Sequence, residues 1–484
     1  MGEAKKFSFY PIHCVIVLLL LFAFQRIPAP APLTSQGMAV FGILAGLIYG
    51  WMFCGLIWPS ILGIVAIITN DLMTVKETLA ASLGSDTVWL IAFLLIVSAM
   101  IDEAKLTKVV AMWFVTKKAF YGKPWMFSFA FLLATFLLSA TTHVMAAIVI
   151  CWSILYQVCG KLGYKKREAY PAYMVLGIVV AGMLGTALLP FKPLPYSIMA
   201  IFTQSYGYEI GFGPYLAFSA VVCLLTLIIF CLMGKFVLRI DVNKLKALNE
   251  DVFEPEDFNF KLTSYQKISA VTLIIMVVLL LFPSILPDNT PILGFFKSIG
   301  LAGTMMFITA ILVMIRVGGK PLLPFAPMAN KGIQWGVLLL VASLMPMGTL
   351  IPMESTGIQA WLMQVLMPIF EGRSTVLYLV LMVVICIVLT NYLNNAVVGG
   401  LFVLATTPIT VGMGMNPSVM AVIIAFSVHL ALISPAGAIW SAILFDNQEW
   451  ISSKQIYKYA VPNLIVLAIL IICVGYPLAS MLLG

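Results

Sequence analysis

Apolar residues in this chain run in long unbroken stretches, not in alternation with polar ones. Hydrophobic runs occupy residues 12–25, 37–50, 52–69, 87–101 with a continuation towards 116, 172–190 and 214–234. A second set follows at 267–286, 298–316, 333–351, 417–445 and 457–481, after a polar segment, 235–266, that is the one sizeable soluble element. A helix crosses the hydrocarbon layer in about 20 residues, so the pattern predicts about eleven crossings. A transmembrane barrel needs period-two alternation, and a stretch such as 271–281 is solidly apolar. The pattern therefore predicts an all-α polytopic membrane protein.

Two further stretches resist that counting. Residues 126–158 are too long for one span and short for two. Lys117, Lys118 and Lys123 precede them, and Lys161, Lys165, Lys166 and Arg167 follow. Basic loops stay in the cytoplasm, so both ends sit on one side and the segment reads as a re-entrant hairpin. Residues 374–409 have similar length and a similar polar interruption at Thr390, Asn391, Asn394 and Asn395. Irregular backbone is excluded from contact with lipid, so both tips must be buried in protein or line a cavity.

Composition agrees with this picture. The 484 residues are 62% hydrophobic and 10% charged, with a mean hydropathy of +1.08, whereas soluble domains carry about 25% charge. The net charge of +8 reads as topology and not as nucleic-acid binding. With the N-terminus cytoplasmic, all of the 27 Lys and Arg except Arg26, Lys76, Lys192, Lys297 and Arg373 fall on cytoplasmic loops, and the C-terminus lies outside. Lys5 and Lys6 precede a first transmembrane helix in a first segment, 1–36; the prolines at 28, 30 and 32 spoil a signal-cleavage site. None of the eight cysteines forms a Cys-x-x-Cys pair, so neither a disulfide framework nor a zinc site is expected.

The same map contains a repeat: five spans and a hairpin in 37–234, then five spans and a hairpin in 267–484, joined by the cytoplasmic linker 235–266. An odd number of crossings per unit turns the second copy upside down, the inverted repeat of secondary transporters. Thr135 and Ser139 match Thr390 and Asn394 at a constant offset of 255.

Transporter sites form near the midplane from hairpin tips and broken helices, whose free amides favour anions and free carbonyls cations. Four polar clusters interrupt apolar runs: Ser139-Ala140-Thr141-Thr142-His143 at the first tip, Asn391 with Asn394-Asn395-Ala396 at the second, Leu189 to Pro195 around Lys192, and Ser434-Pro435-Ala436-Gly437. The last two each interrupt a helix that follows a hairpin, where proline removes a donor and glycine permits close approach. Packing between helices is the plainer reading of any single Ser or Thr. His143 and His429 fall in the same region; each either titrates near neutral pH, donates to an anion or packs. Lys192 either meets a substrate carboxylate or a cation's place, or snorkels to the outer interface.

On these motifs the chain resembles the divalent anion/sodium symporters of the ion transporter superfamily, which include citrate and dicarboxylate carriers. That family carries Ser-Asn-Thr at each tip and a Thr-Pro-Pro-Asn-like turn in each broken helix. Ser139-Ala140-Thr141 keeps two of three letters, Asn394-Asn395-Ala396 keeps the central Asn, and Ser434-Pro435-Ala436-Gly437 resembles the second turn. The resemblance implies a sodium-coupled carrier of a small organic anion, a di- or tricarboxylate, working as a homodimer by an elevator motion. It implies that the tips hold the carboxylates, and that Thr135 with Ser139, and Thr390 with Asn394, help to ligate two sodium ions. Ala140, Ala396 and Lys192 depart from the family pattern. A proton-coupled or exchange transporter of another small anion, and an ion channel, are the alternatives.

Other classes fit poorly. No His-Glu-x-x-His or paired-Asp motif supports a membrane enzyme, and no cofactor beyond coupling ions is expected. Gly318-Gly319-Lys320 lacks the spacing of a phosphate loop and runs into Pro321.

Overall fold

The computed structural model describes residues 9–285, 291–370 and 372–484; Lys5 and Lys6 lie outside them. After α1 (Tyr10–Ala23) come α2 (Ser35–Phe53), α3 (Ile57–Thr69), α4 (Val75–Ala81), α5 (Asp86–Glu103) and α6 (Leu106–Val115). A helical hairpin follows, α7 (Pro124–Thr141) and α8 (Val144–Lys161), then α9 (Ala169–Leu188), α10 (Pro193–Tyr206) and α11 (Phe212–Leu232). The second half runs α12 (Ser264–Ile285), α13 (Pro291–Met314), α14 (Phe325–Gly332), α15 (Trp335–Leu350) and α16 (Ile358–Phe370). Its hairpin is α17 (Thr375–Thr390) and α18 (Asn395–Gly412), followed by α19 (Pro417–Ser427), α20 (Ile439–Asp446), α21 (Ser453–Leu470) and α22 (Tyr476–Leu483). Among the described residues, nine helices are long and apolar enough to cross a membrane, or up to 12 if each bent pair is one span.

The order of elements repeats. A short helix (α6, α16) leads into each hairpin, a broken helix follows it (α9/α10, α19/α20), and a π turn closes each half, Met233–Val237 and Ile471–Gly475. The continuation towards residue 116 is not one span: α5 ends at Glu103, and Lys105 adopts a left-handed φ of 53°. Helix α16 was not anticipated. Its sequence is apolar enough, but Pro368 and the polar residues beyond it hide the boundary with α17.

The first hairpin is longer than expected, with arms of 18 residues each, about 27 Å at 1.5 Å per residue. Length alone therefore does not make it re-entrant. What the structure shows is that residues of both hairpin tips line one cavity together with the breaks in α9/α10 and α19/α20, the placement that irregular backbone away from lipid requires.

The caps also correct the register of the repeat. Thr141 and Thr390 are the last residues of α7 and α17, and His143 and Asn394 are the N-caps of α8 and α18. Thr135 and Thr390 are therefore not equivalent. The offset of 255 arose because one shared Thr and one pair of small polar residues carry no information about where a helix stops.

The two hairpins and broken helices pack as one block: α7 and α8 lie on α9, while α18 packs on α10 and α19. The linker is fastened to the flanks of the first hairpin. Lys161 pairs with Glu254 at 2.8 Å and Lys244 with Glu168 at 2.9 Å, and Lys118 pairs with Glu250. The Lys244 ammonium holds the Glu168 carboxyl below its usual range. Between α13 and α14, Gly318 and Gly319 have φ of 60° and 81° and turn a ribbon that pairs Arg316–Val317 with Lys320–Pro321. Two positive φ values in succession suit a tight hairpin turn, and glycine takes them without strain.

Candidate functional site

Each tip is a place where one helix stops and another starts. At the first, α7 ends with Thr142 as its C-cap and α8 begins after His143. At the second, Asn394 caps α18 by accepting a hydrogen bond from the Ala396 amide at 3.0 Å. The first break is short. Leu189 turns to extended backbone, and Pro193 starts α10 with Lys192 as N-cap. The second is long, running from Val428 to Ala438 between α19 and α20. His429, expected in a helix, lies in this unwound stretch.

The four pieces surround a cavity of about 220 Å³. Ala140, Thr141, Thr142 and His143 face it from the first tip, and Asn394, Asn395 and Ala396 from the second. Lys192 and Gly437 come from the breaks, and α5, α12 and α15 close the remaining side. Thr135, Ser139, Thr390, Ser434 and Pro435 are not on its wall. They sit behind it: Thr135 Oγ1 donates to Phe131 O at 3.0 Å within its own helix, and Ser139 Oγ donates to Gly182 O at 2.6 Å, joining the first tip to α9. Thr390 Oγ1 lies within donating distance of two acceptors, Val428 O at 2.6 Å and Asn395 Oδ1 at 2.8 Å. Ser434 Oγ accepts from the Ala436 amide at 3.2 Å, forming a local turn.

Lys192 does not snorkel outward. Its Nζ donates to the carbonyl of Thr142 at 2.9 Å, at the C-terminal end of α7, where unpaired carbonyls carry partial negative charge. The Asp102 carboxylate is near enough to interact with both Lys192 and His143, and its Oδ1 accepts from the His143 backbone amide at 3.2 Å. Asp102 escaped notice in the sequence because it ends an apolar run beside Glu103; a carboxylate at the edge of a span was the available signal. Gln334, the N-cap of α15, pairs with His143 Nε2 at 2.9 Å. Trp440 was also missed; its indole N–H donates to Ala431 O at 2.9 Å, and the residue lines the cavity.

His429 is fully buried, with Nδ1 2.9 Å from Ala425 O, and is not on the cavity wall. Among the described residues, no group of three or more His, Cys, Asp or Glu is arranged to hold a metal ion.

Glycine decides how closely tips and breaks approach. A Cβ on Gly437 would lie 2.3 Å from Thr390 O, and one on Gly185 2.5 Å from Phe136 O. Both contacts are with backbone, which cannot move aside as a flexible side chain would.

Residues 19–427 match the sequence profile of the citrate transporter family. The chain belongs to the citrate transporter family. Its membership accords with the resemblance drawn from the tip motifs, and it makes the protein a multi-pass membrane transporter, not an enzyme. The fold of this family member is similar to two solved transporters. One is YdaH of Alcanivorax borkumensis, at 14% identity and a TM-score of 0.57, covering 98% of this chain and 97% of that one. The other is MtrF of Neisseria gonorrhoeae, described among antimetabolite efflux pumps, at 13% identity and a TM-score of 0.52, covering 98% and 96%. At such identities the likeness shows the fold alone. No curated protein sequence matches the chain.

Proposed function

We propose that the protein is a secondary active transporter that carries a small organic anion across the cytoplasmic membrane by alternating access, coupled to sodium. The observation that carries this reading is the convergence of both tips and both breaks on one cavity containing the Lys192 ammonium. An anion there meets a fixed positive charge, the Asn394 and Asn395 amides, and the start of α8. The family description supports a carboxylate as the anionic group.

The hairpins and broken helices, packed as one block, form the moving body of an elevator, and 37–234 and 267–484 are its two inverted halves. The N-terminus and linker face the cytoplasm, the C-terminus faces outward, and the protein works as a homodimer. Sodium sits behind the second tip near Thr390 with Asn394, while the charge of Lys192 weakens the site near Ser139 that Thr135 would support. The resemblance is the support for the dimer, the elevator and these cation sites.

Proton coupling is the second reading, favoured by Asp102, His143 and Lys192 gathered at the first tip. Reconstitution into proteoliposomes tests both, using labelled carboxylates with one to three carboxyl groups. Saturable uptake with counterflow, driven by an inward sodium gradient, is the expected result. Uptake driven by a proton gradient alone selects the second reading. Flux that neither saturates nor shows counterflow makes the protein a channel.

A further inference from the structure

We infer that Asp102 latches the first tip to α5 between transport events, and that one carboxylate of the carried anion takes its place at Lys192 and the start of α8, freeing the tip to move. The inference rests on the reading of this cavity as the transport site and of the hairpins and broken helices as the moving body.

Placement is the first ground. Helix α5 packs chiefly on α13 and α14, and its end is fastened on that side: Glu103 pairs with Lys331 of α14, and Gln266 Nε2 of α12 donates to Ala104 O at 3.1 Å. Asp102, beside both ties, reaches the first tip instead, where its Oδ1 accepts from the His143 backbone amide at 3.2 Å. Ser98, one turn earlier on the same face of α5, lines the cavity. The His143 ring is tied to the same side, with Nε2 2.9 Å from Nε2 of Gln334, the N-cap of α15. One tip residue thus carries two bonds to helices outside the hairpin block, and the block cannot slide past α5 and α15 while both hold.

Charge is the second. Among the described residues, the wall holds Lys192 as its one Lys or Arg and no Asp or Glu, while Ser98, Thr186, Ser197 and Gln334 add neutral polar groups. The Asp102 carboxylate, just behind the wall, interacts with Lys192, so the ammonium has a counter-charge of its own; a buried charge without one is strongly disfavoured. A di- or tricarboxylate brings a competing carboxylate to the same ammonium. Two carboxylates held there together repel each other, whereas one replacing the other leaves the local charge as it was. The His143 amide likewise has a single hydrogen to give. The remaining carboxylates of the anion can turn to Gln334 and to the Asn394 and Asn395 amides on the same wall.

Such a competitor lowers the apparent affinity by the fraction of molecules it occupies: a tip latched in about nine molecules of ten binds the anion about tenfold more weakly.

The test uses the purified full-length protein, with citrate and succinate as probes. Spin labels are placed in the background lacking native thiols, at Lys123 before α7 and at Lys320 in the ribbon before α14, both exposed. Citrate or succinate should shift the distance between the labels in the otherwise unaltered protein. Asp102→Asn keeps the size of the side chain and an acceptor but removes the charge. It should show the shifted distance with no anion added, and bind the anion about tenfold more tightly. Asp102→Ser is a second neutral variant should Asn fail to fold, and Asp102→Glu should restore the original behaviour. A residue that only supported the fold would weaken binding when replaced. Unchanged affinity in the neutral variants, or a distance that still shifts only on adding anion, overturns the latch while leaving the transporter reading intact. If the wild type neither binds nor takes up citrate or succinate, the transport reading fails as well.

Discussion

The Lys192 ammonium of the first break donates to the Thr142 carbonyl of the first tip at 2.9 Å. In the second half the same junction is made in the opposite direction. Asn391, at the second tip, accepts from the Leu432 and Ile433 amides of the break, both at 2.8 Å, and its Nδ2 donates to Ile387 O at 2.7 Å and Leu430 O at 3.0 Å. One half thus joins break to tip with a charge, the other with a neutral amide whose hydrogen bonds are all spent on backbone. The first junction leaves a cation facing the cavity; the second keeps Asn391 off the wall altogether.

Replacing Lys192 by Met should weaken carboxylate binding by about tenfold or more, a loss of about 1.4 kcal/mol at least. An ammonium and a sodium ion about 5 Å apart repel by roughly 3 kcal/mol at an effective dielectric of about 20. The wild type should accordingly bind fewer sodium ions than Lys192→Met, and the variant should gain a sodium-binding step. Isothermal titration of sodium and of carboxylate into both proteins checks this. Identical titrations would make Lys192 a bystander.

The asparagines of the second tip should separate into two kinds. Asn394→Ala and Asn395→Ala should each abolish uptake with folded protein retained, since both line the cavity. Asn391→Ala should instead lower thermal stability, because it strands buried backbone groups at about 1–3 kcal/mol for each unsatisfied partner. Melting curves and uptake measured on all three variants decide it. Normal uptake in Asn394→Ala and Asn395→Ala would remove the second tip from the site.

Gly437→Ala and Gly185→Ala each place a methyl within 2.6 Å of a backbone oxygen of a hairpin arm, Thr390 and Phe136 respectively. Each should force tip and break apart, reducing transport to background. The cost in stability should be about 1–3 kcal/mol, the range for overpacking. Gly55, with nothing within 4 Å of a Cβ but a φ of 90°, serves as a comparison in which stability falls without loss of uptake by the protein that remains folded.

Cysteine labelling tests the topology. Exposed single cysteines introduced at Lys123 and Lys165, in a background lacking the eight native thiols, should react from the cytoplasmic side only. Reaction from opposite faces would dissolve the first hairpin, the inverted repeat and the shared cavity together.

Much of the architecture was legible in the chain. Membrane crossing needs a sustained apolar run, and orientation needs only the bias of Lys and Arg between loops, so both are local properties of the sequence. The first hairpin was visible because basic residues flank both ends of 126–158, and the second because 374–409 has similar length and a polar interruption at Thr390, Asn391, Asn394 and Asn395. Most tip residues could be named for a similar reason: polar groups inside an apolar run have few permitted places, and Thr141, Thr142, His143, Asn394 and Asn395 lie on the wall of one cavity.

What remained was set by contacts between residues far apart in sequence. Ser139 and Thr390 carry the same kind of polar group as their neighbours, yet turn to the backbone of α9 and of the second break instead of the cavity. Asp102 enters the site only because α5 packs beside the first tip. The length of each break is decided likewise: Asn391 supplies the hydrogen bonds that let the chain from Val428 to Ala438 stay unwound, and no local propensity encodes a partner some 40 residues away. Hydrophobic pattern determined which segments are apolar enough to enter the membrane, and charge bias supplies the expectation of which side each loop faces. Which polar groups face the cavity, and which are consumed in holding it together, was decided by tertiary packing, because a buried donor or acceptor goes to whichever partner the fold brings within about 3 Å.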